Sequence, residues 1–528
     1  MVNSHHAGFG SRSKRATEYL LSTMSFKKNI LSNYISQIYV TLIGIVMIPM
    51  YVRYMGAEAY GLVGFFAMLQ AWFQLLDMGL TPTMARATAR FNGGASDALS
   101  LRRLLRALEG IFIGIAVLGG AGMAVGSGFI ARSWLNVQSL SLYEVQHAIM
   151  LMAAIVALRW VCGLYRGAIN GFEHIIWLSG FNMAVSTVRF VLVIPFFIYV
   201  GSTPTQFFSY QLLVAVIELF LLVVQTYRLL PVVAMDSRLP WEWEPLQGVL
   251  KFSIGIAFTS SVWVLVTQTD KLVLSKLLPL TEYAYFSLAV LVAGGVGIIS
   301  GPISGALLPR MTKLSAEGNE TSMVQLYRHA TQLVGIIAIP AALTLAFFSE
   351  QVLWAWTGNA EITHKAAPVL ALYALGNGIL ALSAFPYYLQ FAKGNLRLHI
   401  IGNVLFILLL IPALLWATLH YGVIGAGYAW LIANGIYFLV WVPKVHKHFV
   451  KNLHAKWLFQ DISVTALLAL SAVGLMRFFI IWPQNRAQIA LIIMLISILL
   501  LLISSLGSSW VRRKIMDQWK MISINRKY

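Results

Sequence analysis

Apolar stretches of about twenty residues, divided by short polar connections, run along nearly the whole chain. Each is long enough to cross a hydrocarbon core of roughly 30 Å as an α-helix. A transmembrane barrel would instead show short segments of alternating polarity. Fourteen stretches are predicted to span, starting near Asn29, Glu58, Ala107, Val145, Ile175, Thr205, Val249, Glu282, Val324, Lys365, Leu396, Gly422, Phe459 and Ala487. The longest polar connections expected between them are 81–106, 231–247, 309–323 and 444–458. None is large and polar enough for a separate soluble domain. The predicted fold class is an all-α polytopic membrane protein.

Composition agrees with the pattern. Of 528 residues, 59% are hydrophobic and 11% charged, against about 25% charged in soluble chains. The net charge is +19. The cations lie mainly between spans, so the positive-inside rule accounts for them and nucleic acid is not expected as a partner. With a cytoplasmic N-terminus, which holds Arg12, Lys14, Arg15, Lys27 and Lys28, 29 cations fall on the cytoplasmic side and 5 opposite. A missed span would invert every later loop, so both termini are expected in the cytoplasm. No cleavable signal sequence is seen, and the first span is expected to act as an uncleaved insertion signal. The single cysteine, Cys162, excludes an internal disulfide and reads as a packing residue.

The two parts of the chain look alike. Glu58-Ala59-Tyr60 opens the second predicted span and Thr281-Glu282-Tyr283 the eighth. Gly171 and Gly394, and Pro82/Arg86 and Pro309/Arg310, recur at nearly the same offset. Six spans per repeat keep one orientation, so the repeats are expected to be parallel, with a route between them. The expected divisions are a cytoplasmic segment 1–28, an N-terminal six-helix lobe 29–230, a linker 231–247 and a C-terminal six-helix lobe 248–447. Two further spans, 448–508, and a basic cytoplasmic tail, 509–528, complete the chain.

Charges at bilayer depth are the candidate functional residues, because each costs roughly 2.5–3.5 kcal/mol on insertion scales and so faces a bundle interior or a wet cavity. Arg159 and Arg166 are two helical turns apart and share a face. Arg189 lies near mid-span, with Glu218 at similar depth in the next span. Two readings stay open: Arg189 and Glu218 neutralise each other, or Arg159, Arg166 and Arg189 line a cavity and meet an anionic substrate. Asp270 and Lys271 pair locally or serve as coupling groups. Asp77, Arg86 and Arg310 read either as charged helix ends or as parts of a gate. Arg102, Arg103 and Arg106, interleaved with Leu101, Leu104, Leu105 and Leu108, are expected to lie on the anionic inner leaflet. No spacing recommends a catalytic triad, a Walker loop or a metal site, so neither an enzyme nor a bound cofactor is expected. Gly422, Gly425 and Gly427 open an apolar helix and follow no strand, which points to packing.

The run Pro49-Met-Tyr-Val-Arg53-Tyr-Met-Gly56-Ala-Glu58-Ala-Tyr60-Gly61, then Asp77-Met-Gly79-Leu and Arg86, resembles the multidrug/oligosaccharidyl-lipid/polysaccharide exporter superfamily, in its Wzx-like polysaccharide flippase branch. Asp270-Lys-Leu-Val-Leu-Ser275 and Tyr283-Ala-Tyr-Phe-Ser-Leu-Ala289 resemble its seventh and eighth helices. The likeness covers roughly residues 29–508. It implies two six-helix lobes around a central cavity plus two C-terminal helices. It also implies movement of an undecaprenyl-pyrophosphate-linked oligosaccharide across a bacterial inner membrane for O-antigen, capsule or exopolysaccharide synthesis. Membrane lipids, a polysaccharide polymerase and a chain-length regulator are the expected partners; Na⁺, H⁺ or the membrane potential stay open as the driving force, with Glu218 and Asp270 the candidate coupling residues. A drug/cation antiporter of the same superfamily and a lipid II-type flippase are the rivals. A membrane glycosyltransferase would need larger outer loops, and an assembly scaffold would not explain charges at midplane.

Overall fold

The computed structural model describes residues 28–29, 31–232, 244–298, 300–513 and 516, with backbone alone at 244–260, 298, 300–302 and 304–306. The N-terminal cations Arg12, Lys14, Arg15 and Lys27, most of the 231–247 linker and most of the basic tail lie outside the described residues. Two compact units are distinguished: Met1–Ala59 with Phe66–Val264, and Tyr60–Phe65 with Leu265–Tyr528.

The first unit contains α1 (Leu31–Met55) and α2 (Ala57–Phe73) apart from its residues Tyr60–Phe65, then α3 (Leu80–Asn92), α4 (Ala98–Val125) and α5 (Leu142–Gly171). It continues through α6 (Ile175–Phe190), α7 (Val193–Tyr199) and α8 (Pro204–Leu229). The boundary falls within α9 (Glu244–Leu277). The second unit holds α10 (Leu280–Ile298), α11 (Ser300–Ala316), α12 (Glu320–Phe347), α13 (Ser349–Thr357), α14 (Ala360–Ser383) and α15 (Phe385–Ala392). It ends with α16 (Arg397–Ile436), which runs on to Phe449, α17 (Leu453–Phe479) and α18 (Arg486–Gly507). No strand occurs among the described residues, so the all-α membrane fold read from the sequence is borne out.

Twelve helices among the described residues are long and apolar enough to cross a membrane, against fourteen predicted stretches. The count leaves out α9, 34 residues long, whose first half is described by backbone alone. It also takes Arg397–Phe449 as one helix of 53 residues, which at 1.5 Å per residue would run to about 80 Å. The chain instead reverses there. Gly422 has φ 59° and ψ −142°, a left-handed corner open to glycine. A Cβ on Gly425 would lie 2.0 Å from the carbonyl oxygen of Ala417, whereas eight residues of straight helix span about 12 Å. Trp441 Nε1 donates to the Leu398 carbonyl at 3.2 Å, and Phe406 packs on Tyr437 at 5.8 Å. These contacts pair residues 397–421 antiparallel to 422–449. Gly425→Ala is therefore expected to cost roughly 1–3 kcal/mol, because a backbone oxygen blocks the new methyl. Gly435→Ala, with nothing within 4 Å, is the control. Thermal unfolding in detergent checks the pair, and equal midpoints would refute the close approach.

Helix starts and close contacts have local causes. Thr203 and Gln206 form a capping box around Pro204 at the start of α8. Asp97 caps α4 through Ser100 N at 3.0 Å. That cap starts the third span at Ala98 rather than near Ala107, and α3 together with the start of α4 fills most of the polar stretch 81–106. Leu101, Leu104, Leu105 and Leu108 are buried in the first unit's core, with Phe112 stacked on Trp160 at 4.2 Å. They face protein, so Arg102, Arg103 and Arg106 stand on the first turns of a spanning helix whose leucine face packs into the core. Gly163, Gly167 and Gly171 recur every four residues along α5. Cβ atoms on them would meet Thr81 Oγ1 at 3.2 Å, Thr81 O at 2.7 Å and Ala85 O at 2.3 Å. This close helix contact is the use of small residues typical of membranes. Gly394, offset from Gly171 by the suspected repeat, serves another end: it sits at φ 70° in open space. Large apolar side chains such as Leu118, Phe478 and Phe479 are 76–88% exposed, which suits a lipid solvent rather than water.

Candidate functional site

Three helices of the first unit each carry two polar side chains seven residues apart. They are Arg159 and Arg166 on α5, Asn182 and Arg189 on α6, and Gln211 and Glu218 on α8. Seven residues are about two turns, so each pair lies along one helix face. Helices α5 and α8 meet in a constant register: Arg159 contacts Gln211 and Arg166 contacts Glu218, each 52 residues on. The result is two polar layers, one above the other.

In the layer nearer the α5 C-terminus, Arg166 Nη2 donates to Glu218 Oε1 at 2.6 Å, and Nη1 donates to Asn182 Oδ1. In the other, Arg159 Nη2 donates to Gln211 Oε1 at 3.1 Å, and Gln211 Nε2 donates to the Arg189 carbonyl at 3.1 Å. Arg159 Nε reaches only to 3.9 Å from Glu218 Oε2. Both side chains are more than nine-tenths buried. Arg159 Nε and Nη1 have no hydrogen-bond acceptor among the described residues. Aromatic faces carry part of the load: Arg159 lies 5.6 Å from the Phe66 centroid and Arg166 5.9 Å from Phe181.

Arg189 is placed by a break in its helix. The chain turns between α6 and α7, and Pro195 has no N–H to donate. Polar side chains gather at the freed backbone, as an apolar surrounding demands. The carbonyls of Val188, Arg189 and Phe190 accept from Tyr210 Oη (2.6 Å), Gln211 Nε2 (3.1 Å) and Tyr51 Oη (2.9 Å). Tyr39 Oη and Thr187 Oγ1 add a bond at 2.7 Å. The Arg189 guanidinium lies 4.9 Å from the Phe190 ring and makes no ion pair within 4.0 Å among the described residues. Arg189 and Glu218 therefore form no direct ion pair: Glu218 is occupied by Arg166 and approached by Arg159. One carboxylate faces three guanidiniums.

The other expected residues are held elsewhere. Asp77 Oδ1 accepts from Thr81 Oγ1 at 2.5 Å and Thr81 N at 3.2 Å, which makes it a local cap of α3. Arg86 and Arg310 are exposed on α3 and α11. In the second unit Asp270 Oδ2 accepts from Tyr373 Oη at 2.8 Å. Lys271 Nζ donates to Thr267 O at 2.5 Å and lies 3.4 Å from Asp270 Oδ1. Asp270 and Lys271 are thus paired locally. Among the described residues no cluster of three or more His, Cys, Asp or Glu could hold a metal ion.

Several buried polar groups escaped the sequence reading. Glu58 pins the segment before α5, accepting from the backbone of Gln138 (2.5 Å), Ser139 (2.9 Å) and Leu140 (3.2 Å). Glu109 accepts from Tyr165 and Tyr227, and Asp461 from Arg328 and Gln332. Gln211 and Asn182 were legible through their seven-residue spacing to Glu218 and Arg189. The others are joined only by long-range packing.

A family described as "Polysaccharide biosynthesis protein" matches residues 26–315, more than half of the chain. The chain belongs to this family. No curated protein matches it. Among solved structures it is similar to the lipid II flippase MurJ in an inward closed conformation, with TM-score 0.68 and 16% identity over 92% of this chain and 99% of that one. It is also similar to an inward-facing multidrug resistance MATE transporter of the MOP superfamily, with TM-score 0.63 and 16% identity over 77% and 94%. The family member thus has the MurJ/MATE fold. These structures are a flippase and a transporter rather than enzymes. Family and fold together bear out the resemblance to a flippase-type polysaccharide exporter read from the sequence.

Proposed function

We propose that the protein moves a polyprenyl-pyrophosphate-linked oligosaccharide from the cytoplasmic to the outer leaflet of a bacterial inner membrane, with both termini in the cytoplasm, for surface-polysaccharide synthesis. The observation that carries this reading is the excess of cations at the two polar layers of α5, α6 and α8: three arginines against one carboxylate. Two nitrogens of the buried Arg159 guanidinium, Nε and Nη1, have no acceptor among the described residues. A desolvated guanidinium attracts a diphosphate strongly, because its planar fork matches the phosphate oxygens and little water screens the charge. A transporter of organic cations would place carboxylates there instead. The arginines would hold the diphosphate while the isoprenoid tail stays in lipid, and the lobes would alternate access. If an ion drives the cycle, Glu218 and Asp270 are the carboxylates at depth, and protonation or Na⁺ binding would compete with the partners they now have. A polymerase and a chain-length regulator would take the delivered oligosaccharide.

The test is leaflet-to-leaflet movement of a labelled undecaprenyl-pyrophosphate oligosaccharide in proteoliposomes. Protein-dependent movement is expected, falling about tenfold or more in Arg189→Ala, as for a lost charge-assisted contact of roughly 1.5–3 kcal/mol. Arg189→Lys should keep part of the rate. Unchanged transport in both variants would remove Arg189 from the route. No movement of any glycan, together with proton- or sodium-coupled uptake of an organic cation, would make the protein an antiporter.

A further inference from the structure

A second constellation in the first unit lies on the face where α4, α5 and α8 meet. It begins with an apolar groove of about 520 Å³. Ala153, Ala154 and Ala157 of α5 form its floor; α4 from Ile113 to Ala124 and Leu219 with Val223 of α8 form its walls. Along α4 the groove runs about 16 Å. Its rim is open: Ile113 and Val117 are 52% and 60% exposed. A separate cavity of about 320 Å³ lies toward the start of α4, lined by Arg102, Leu105, Arg106, Tyr227 and Leu230.

The two cavities lie on one track. Residues 102, 106, 109, 113, 117, 120 and 124 recur every three or four positions and so form one stripe of α4. Leu219, Val223 and Tyr227 do the same on α8. From Arg106 to Ile113 is two turns, about 10 Å. Between the cavities Glu109 accepts from Tyr165 Oη at 3.0 Å and Tyr227 Oη at 2.9 Å. Tyrosines at this junction of charge and hydrocarbon are typical of the membrane interface. Arg102 is oriented by its bond to the Pro231 carbonyl at 2.8 Å. Arg106 is 59% exposed and only 3.9 Å from Glu109 at its nearest.

We propose that this track binds an anionic phospholipid of the adjoining leaflet, with its phosphate between Arg102 and Arg106 and one acyl chain in the groove. The cationic end matches a phosphodiester, and the alanine-floored end accepts a flexible chain. A transmembrane helix, 10–12 Å across with side chains, would not enter a groove of this volume. A glycan-bearing diphosphate would have to fit its sugars beside a cavity equivalent to about ten waters, whereas bilayer phospholipid is present in vast excess and needs only its head group there. The proposal does not rest on the substrate reading. It would make the protein's stability and rate depend on anionic lipid.

Native mass spectrometry of the purified protein, titrated with phosphatidylglycerol and with phosphatidylcholine of the same chains, tests it. Phosphatidylglycerol is expected to be retained preferentially. Arg106→Gln should weaken it about fivefold, the factor equivalent to roughly 1 kcal/mol per arginine near an anionic surface. Phosphatidylcholine should be unaffected by that change, Arg106→Lys should restore the preference, and Arg90→Gln, exposed on α3, should leave it intact. Ala154→Phe, which fills the groove, should weaken both lipids. Equal retention of the two lipids by the wild type, an unchanged preference in Arg106→Gln, or unchanged binding in a folded Ala154→Phe protein would overturn the proposal. Displacement of phosphatidylglycerol by undecaprenyl pyrophosphate, lost in Arg106→Gln, would also overturn it by reassigning the track to substrate.

Discussion

Glu218→Gln is expected to destabilise the protein by about 3–5 kcal/mol, the scale on which a buried ion pair fails when one partner is removed. Glu218 is the carboxylate that meets the arginine layers, bonded to Arg166 at 2.6 Å and 3.9 Å from the buried Arg159. Without it three guanidiniums share the two polar layers with no carboxylate within 4.0 Å among the described residues, and little water screens them. The amide oxygen would keep a hydrogen bond to Arg166 but no net charge. Thermal unfolding in detergent measures the loss. The double variant Glu218→Gln/Arg166→Gln should recover part of it, because removing one cation relieves the imbalance. A single variant within 0.5 kcal/mol of wild type, or a double variant as unstable as the sum of both singles, would show that the layers are solvated rather than coupled.

The second large effect is expected at Asp461, in the other unit. Its side chain is fully buried and accepts from Arg328 Nε at 2.6 Å, Arg328 Nη2 at 2.9 Å and Gln332 Nε2 at 2.6 Å. Gln332 Oε1 in turn accepts from Ser508 Oγ at 2.6 Å and Trp510 N at 3.0 Å. Trp457 Nε1 donates to Thr331 Oγ1 at 2.9 Å. One stretch of α12, residues 328–332, thus anchors both C-terminal helices. Asp461→Ala leaves Arg328 without its bidentate partner and is expected to cost about 3–5 kcal/mol. It should also expose the connection near residue 509 to protease before the rest of the chain unfolds, because that segment is held through the same glutamine. Asp461→Asn, which keeps an acceptor for Gln332, should lie between Asp461→Ala and wild type. Simultaneous loss of all protected fragments in Asp461→Ala would show that α17 and α18 are not held as a separable pair.

These two residues differ in how far the sequence exposes them. Glu218 is an acid in the middle of an apolar stretch, and its depth follows from counting residues. The spacing of seven that it shares with Gln211, with Arg159 and Arg166, and with Asn182 and Arg189 also stands in the sequence. Asp461 sits near the beginning of a span beside a basic loop, where an acid is unremarkable. Its importance comes from a helix more than a hundred residues earlier, and nothing local signals it. Glu109 is the same case: only folding brings Tyr165 and Tyr227 to it. The leucines beside Arg102, Arg103 and Arg106 are a different case. Their alternation with arginines is a true amphipathic pattern, but the apolar face meets the first unit's core and not a lipid surface. A hydrophobic stripe records that something apolar covers it, not what.

What the sequence determined by itself is what depends on local free energy. Twenty apolar residues must form a helix in a membrane because their backbone groups have no other partners there. Class, approximate spans, and the depth of Arg159, Arg189 and Glu218 all follow from that rule and a fixed rise per residue. Tertiary structure alone decided the pairing. The 52-residue register of α5 on α8 hands Glu218 to Arg166 and leaves Arg189 without an ion pair within 4.0 Å among the described residues. The corner at Gly422 turns one apolar run of 53 residues into two antiparallel helices. Both outcomes hang on which helix faces can approach closely. That is a property of side-chain volumes on two surfaces at once, and no single stretch of sequence contains it.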